Sequence, residues 1–137
     1  MQKLRRSGED YLEAILVVRN RAGEVRSVDI ARELHVSKPS VSRAVGLLKD
    51  GGFINIDADG FISFTEAGRI VAESIYERHI VLTDWLTDLG VEKETAADDA
   101  CKLEHDISKE SFDRLKEHIE KCMQCETKDC LPLAPAT

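Results

Sequence analysis

Apolar stripes of helical period alternate along the chain with short breaker segments. Over residues 9–19, Leu12, Ile15 and Leu16 recur at i, i+3 and i+4, which predicts an amphipathic helix ended by Asn20-Arg21-Ala22-Gly23. Ser27 stands before 28–34 as the expected N-cap of a short second helix, and His35-Val36 turns the chain. Ser37 is placed to cap a third helix, with Pro39 in its first turn, where a missing N–H costs little. Val41, Val45 and Leu48 form the inward stripe of that helix, and Gly51-Gly52 stops it. Residues 53–56 and 61–64 alternate apolar and polar positions around Asp57-Ala58-Asp59-Gly60, the pattern of a β-hairpin. Thr65 then caps a long helix reaching about Leu89, with Gly90 just past its end. Residues 94–106 and 109–121 predict two further helices, the second capped by Ser108. The stretch 122–137 holds three of the four cysteines and two of the three prolines and is expected to lie outside regular structure.

Helix, helix, short turn, helix, hairpin is the order of a winged helix-turn-helix. The fold expected is mainly α: a winged helix-turn-helix domain, three helices plus a β-hairpin wing, at 1–70, a helical domain at 71–121, and a tail at 122–137. Composition agrees, since 42% apolar and 33% charged residues suit a folded helical protein and not a disordered chain. No run of apolar residues is long enough to span a membrane and no secretory signal is visible, so a cytoplasmic protein with reduced thiols is expected.

A net charge of −7 argues, taken alone, against nucleic acid as a partner. Its distribution changes that reading. Residues 1–70 carry 11 Lys and Arg against 10 Asp and Glu, whereas 71–137 carry 8 against 16. The first part is able to approach phosphate and the second is strongly acidic. On the third helix Lys38, Ser40, Ser42, Arg43 and Lys49 lie at or near the exposed side. Arg suits a guanine edge there, while Ser and Lys suit phosphates. Arg26 adds a cation for the DNA backbone. One such module has a small footprint, so two copies on palindromic double-stranded DNA, and hence a homodimer, are expected.

Candidate metal ligands form two sets. Asp10 and Glu13 at i, i+3 share one face of the first helix, and Cys101, Glu104 and His105 at i, i+3, i+4 share one face of another. His79, in the middle of the long helix, offers a second imidazole. Thiolate, carboxylate and imidazole together form a compact transition-metal ligand set. Taken singly, the carboxylates also read as solvated helix charges, Cys101 as a small buried apolar group, and His79 as an ordinary core or surface histidine. In the tail, Cys122, Cys125 and Cys130 read as exposed thiols, as a second metal or Fe–S site short of one ligand, or as a redox pair. A histidine such as His118 is one source of the missing ligand.

The chain resembles the metal-dependent repressors of the diphtheria-toxin-repressor and manganese-transport-regulator family over about residues 7–120. The resemblance rests on Glu9-Asp10-Tyr11-Leu12-Glu13-Ala14-Ile15, Val36-Ser37-Lys38-Pro39-Ser40-Val41-Ser42 and Thr65-Glu66-Ala67-Gly68-Arg69. It rests further on Arg78-His79 and on Cys101-Lys102-Leu103-Glu104-His105. It implies a winged-helix DNA-binding domain and a helical metal-binding and dimerisation domain, with metal as corepressor between them. Asp10, Glu13, His79, Cys101, Glu104 and His105 fall on the family's ligand positions, and Ser37, Pro39 and Arg43 on positions that meet bases. The site is a hybrid: a cysteine at Cys101 is an iron-type trait, whereas Asp10 stands where the iron type has methionine. Thr83 and Ala97 occupy two positions of the iron-type accessory site. The resemblance thus implies a repressor of metal-homeostasis genes with Mn²⁺ or Fe²⁺ as cofactor, Co²⁺, Ni²⁺ or Zn²⁺ substituting. Two rival readings are a metalloenzyme, for which the sequence supplies no further catalytic motif, and a metal-independent or redox-responsive winged-helix regulator using the tail cysteines.

Overall fold

The computed structural model describes residues 6–124; Cys125 and Cys130 lie outside them. The elements are α1 (Arg6–Ala22), α2 (Ser27–Leu34), α3 (Lys38–Asp50), β1 (Ile54–Ile56), β2 (Ile62–Phe64), α4 (Glu66–Asp88), α5 (Lys93–Asp106) and α6 (Lys109–Gln124). The fold is thus mainly α with a two-stranded hairpin, as the sequence pattern predicts. The chain divides into two compact units between Glu77 and Arg78, inside α4, whereas the pattern placed the change near residue 70. The first turns of α4 belong to the first unit because Val71, Ala72 and Tyr76 pack into its core.

That core gathers Leu12 and Ile15 of α1, Ile30 of α2, Val41, Val45 and Leu48 of α3, and Ile54 and Ile62 of the hairpin, all buried. Each such side chain contributes about 1.5–3 kcal/mol when removed from water, so the stripe on α3 seats that helix and turns its polar side outward. Ser37 does cap α3: its Oγ accepts the Ser40 N–H at 3.3 Å. Thr65 and Ser108 cap α4 and α6 in the same way, through the N–H groups of Gly68 at 3.1 Å and Ser111 at 3.1 Å. Ser27 does not cap α2. Arg26 holds the N-cap position, and its N–H donates to the Asp29 carboxylate at 2.9 Å, so the acidic residue in the first turn takes over the satisfying role. α1 runs on through Ala22 until Gly23, at φ 85°, ends it. α6 extends through Cys122, which the sequence pattern assigned to the tail.

The wing is an antiparallel pair with Ile54 opposite Phe64, Asn55 opposite Ser63 and Ile56 opposite Ile62. Its tip is closed by Asp57, whose Oδ1 accepts the N–H groups of Asp59 and Phe61, both at 2.9 Å. Its base is tied down on two sides. The Ile62 N–H donates to the Val25 carbonyl at 2.8 Å, and the Thr65 hydroxyl donates to the Gly52 carbonyl at 2.6 Å. The Phe53 carbonyl accepts the Thr65 N–H at 3.1 Å and also lies against Gly68, where a Cβ would stand 1.8 Å from its oxygen. Only glycine permits this approach.

In the second unit Leu82 of α4, Ala100 of α5 and Phe112 of α6 are buried together, with Trp85, Ile107 and Leu115 packed around them. Among the described residues no helix is long and apolar enough to cross a membrane.

Gly68→Ala is expected to destabilise the protein by about 1–3 kcal/mol, since wing and α4 must separate to admit the methyl group. Thermal unfolding followed by circular dichroism reads this as a lowered Tm; an unchanged Tm would show that the junction yields at no cost.

Candidate metal centre and nucleic-acid interface

α4 and α5 assemble a polar cluster within the second unit. Glu104, on α5, has a fully buried side chain, and its Oε2 lies 3.0 Å from His79 Nδ1 on α4. His105 Nε2 lies 3.3 Å from Glu104 Oε1, at ion-pair distance but outside hydrogen-bond geometry, and the His105 side chain is only 2% exposed. The Cys101 sulfur, one turn before Glu104 on α5, lies within 4.8 Å of a Glu104 carboxylate oxygen. The i, i+3, i+4 spacing thus brings the Cys101 sulfur and the His105 imidazole each near the Glu104 carboxylate, which His79 meets from α4.

Arg78, adjacent to His79, fixes the frame. Its Nη1 donates to the carbonyl oxygens of Glu104 at 3.1 Å and Ile107 at 2.8 Å, and its guanidinium lies 5.5 Å from the Phe112 ring centroid. One side chain thus satisfies carbonyls at the C-terminal end of α5 and complements the negative end of that helix. The sequence motif includes Arg78 without assigning it a role. The available signal is an arginine three residues from Ile75 and four from Leu82, within an apolar stripe.

Burying a carboxylate is costly unless positive charge or donors compensate it. The hydrogen bond that His79 donates to Glu104 raises its pKa above the ordinary 6.5; burial opposes this, and the charge of Glu104 adds to it. Glu104 Oε1 has no hydrogen-bond partner among the described residues. A buried carboxylate with an unsatisfied oxygen, beside imidazole nitrogens and a thiol, fits a divalent transition metal. In the first unit, Asp10 and Glu13 lie half-buried on one face of α1.

α3 presents an exposed polar surface. Lys38, Pro39, Ser40, Ser42, Arg43 and Lys49 are all exposed, as is Ser37 at the N-cap. The Ser37 hydroxyl donates to the Ser40 hydroxyl at 2.8 Å, so this pair organises the helix start and leaves the Ser40 hydrogen to donate elsewhere. Arg26 is exposed at the start of α2, and its guanidinium lies 4.2 Å from the ring centroid of Phe61, beside the wing. That stacking, which sequence spacing does not reveal, gives a flexible cation a defined position.

The His79–Glu104 pair makes metal-free stability depend on pH. A folded pKa raised above 6.5 means a contribution fully present below that value and lost as pH climbs through the raised one. In chelator-treated protein, the urea midpoint of wild type is expected to exceed that of His79→Gln most near about pH 6, the gap narrowing towards about pH 9. A pH-independent gap would exclude the pair as its source.

Two family matches together span most of the chain. The iron-dependent repressor N-terminal DNA-binding domain matches residues 3–60, and the iron-dependent repressor metal-binding and dimerisation domain matches residues 65–133. An uncharacterised HTH-type transcriptional regulator of Methanocaldococcus jannaschii is 33% identical over 115 residues, which span 82% of this chain and 92% of that protein. Transcriptional regulator MntR of Escherichia coli is 34% identical over 113 residues, spanning 82% of this chain and 73% of that one. A manganese-dependent transcriptional repressor solved in complex with manganese is similar at a TM-score of 0.74 and 25% identity. The match covers 82% of this chain and 52% of that chain, so this chain spans about half the length of that repressor. With one domain match over residues 3–60 and the other over 65–133, the chain belongs to the iron-dependent repressor family.

Proposed function

We propose that this chain is a divalent-metal-dependent, DNA-binding transcriptional repressor of metal-homeostasis genes. It acts in the cytoplasm as a homodimer on a palindromic operator and not as an enzyme. The observation that carries the reading is the buried Glu104 carboxylate flanked by His79, Cys101 and His105, in a chain whose first unit presents an exposed recognition helix. Those four residues are the assigned ligands in the second unit, and Asp10 and Glu13 on α1 are the carboxylates assigned in the first. The support for Asp10 and Glu13 is their donor chemistry, their shared helical face and the family resemblance. For the dimer, exposed Ile80, Leu89 and Leu103 offer apolar contact area on α4, on α5 and in the loop between them.

A bound dication supplies the positive charge and coordination bonds that this donor set lacks. Without it, Asp10, Glu13 and Glu104 carry like charges, which opposes gathering them; His79 answers part of that charge by holding a proton. Shared coordination reverses the sign and favours one arrangement of the two recognition helices, a population shift towards the form that fits two half-sites. Arg43 then reads a base edge, Lys38, Ser42 and Lys49 hold phosphates, and Arg26 adds a contact beside the wing. Mn²⁺ suits the carboxylates and Fe²⁺ the Cys101 sulfur, with Co²⁺, Ni²⁺ or Zn²⁺ able to substitute.

An operator selected from randomised duplexes in the presence of Mn²⁺ provides the assay. Affinity by fluorescence anisotropy is expected to fall at least tenfold on chelation, a coupling of about 1.4 kcal/mol or more, and the operator must raise metal affinity by the same factor. Equal affinity with metal and with chelator would overturn the reading. Glu104→Gln, which keeps the side-chain volume, is expected to abolish the metal response while the dimer persists in analytical ultracentrifugation. Arg43→Ala is expected to cost about 1–3 kcal/mol with relaxed preference at one base pair, whereas Lys49→Ala lowers affinity for all sequences and reduces the salt slope by about one. If both substitutions have the same effect, α3 is not the reading helix.

A further inference from the structure

Within the second unit Arg78 reaches from α4 to both α5 and α6. Its Nη1 bridges two carbonyls three residues apart, those of Glu104 and Ile107, and its guanidinium lies beside Phe112 of α6. An arginine that only caps a helix end is an ordinary arrangement, and water serves such orphan carbonyls as well. Two observations set Arg78 apart from that case. The residue whose carbonyl it holds is the buried Glu104, whose carboxylate is met by His79, the next residue of α4. Its Nε, moreover, is buried and has no hydrogen-bond partner among the described residues. A buried N–H left alone costs more than a typical hydrogen bond returns, so the guanidinium is turned to the two carbonyls at the expense of one of its own donors.

We propose that Arg78 is a positioning residue of the metal centre: by fixing the backbone of Glu104, it keeps that carboxylate in reach of the ion that His79, Cys101 and His105 share. The inference rests on the metal-dependent reading of this cluster. A guanidinium has no lone pair to offer a metal, so Arg78 acts through the peptide group of Glu104 and not as a ligand. Where the backbone of a ligand is loose, the ion itself must order it, and the cost appears as lost affinity; partners that orient ligands are worth about 10–100-fold in metal affinity. The sign of the effect separates positioning from charge. Removing a cation favours a dication by electrostatics alone, whereas loss of positioning weakens binding.

The test titrates the full, reduced chain anaerobically with Co²⁺ and with Mn²⁺ against a chelating dye, without DNA. Arg78→Met, which keeps a long apolar stem, is expected to bind both ions about 10–100-fold more weakly and to shift or weaken the Cys101-to-cobalt charge-transfer band. Arg78→Lys, a cation able to reach one carbonyl, is expected to recover part of the affinity. Leu115→Ala removes packing from the core of the same unit. It should lower the Tm of the metal-free protein and keep wild-type metal affinity. Unchanged or tighter binding in Arg78→Met would overturn the proposal, as would an affinity loss in Leu115→Ala in the same proportion to its change in Tm. A wild type that binds neither ion would overturn the metal-dependent reading itself, and this proposal with it.

Discussion

A carboxylate removed entirely from water must be answered by charge or by donors, and Glu104 imposes that condition on the second unit. His79 meets one oxygen, His105 stands near the other, and Arg78 holds the carbonyl of the same residue. The arginine's two carbonyl contacts stop α5 where it ends, so side chain and backbone of Glu104 are held from α4 by adjacent residues. Truncating either member of such an arrangement leaves a buried polar group alone, which costs more than the interaction itself contributes. The helix pair is thereby specified by polar groups as much as by the small apolar core of Leu82, Ala100 and Phe112.

Charge is the second organising constraint. The overall excess of acid is concentrated after residue 70, and the part that presents α3 is nearly neutral. A surface of this kind has little general attraction for a polyanion. The Ser37 cap orders the start of α3, and Phe61 holds Arg26, two local devices that limit the freedom of this surface.

Much of this arrangement was legible in the sequence. The stripe of Val41, Val45 and Leu48 fixed the facing of α3, and Ser37, Thr65 and Ser108 announced three helix starts through a chemistry that is entirely local. The grouping of Cys101, Glu104 and His105 on one face of α5 was legible because i, i+3, i+4 spacing and helical geometry are the same statement. Features depending on contacts distant in sequence were not. Nothing local distinguishes Gly68 from any other helical glycine until the Phe53 carbonyl is brought against it. Arg78 reads as a surface charge until the end of α5 reaches its guanidinium. The α2 start was misread by one residue because Ser27 and the Arg26–Asp29 pair offer competing caps, and α6 ran past its expected end because Cys122 is compatible with helix as well as with tail.

The wing is fastened at its base by Ile62 to Val25, by Thr65 to Gly52, and by the close seat of Phe53 on Gly68. Its tip from Asp57 to Gly60 is closed only by its own hydrogen bonds. Insertions and deletions are therefore tolerated at the tip and excluded at the base. A hairpin so built has room to change length at its tip without disturbing the seat of α3.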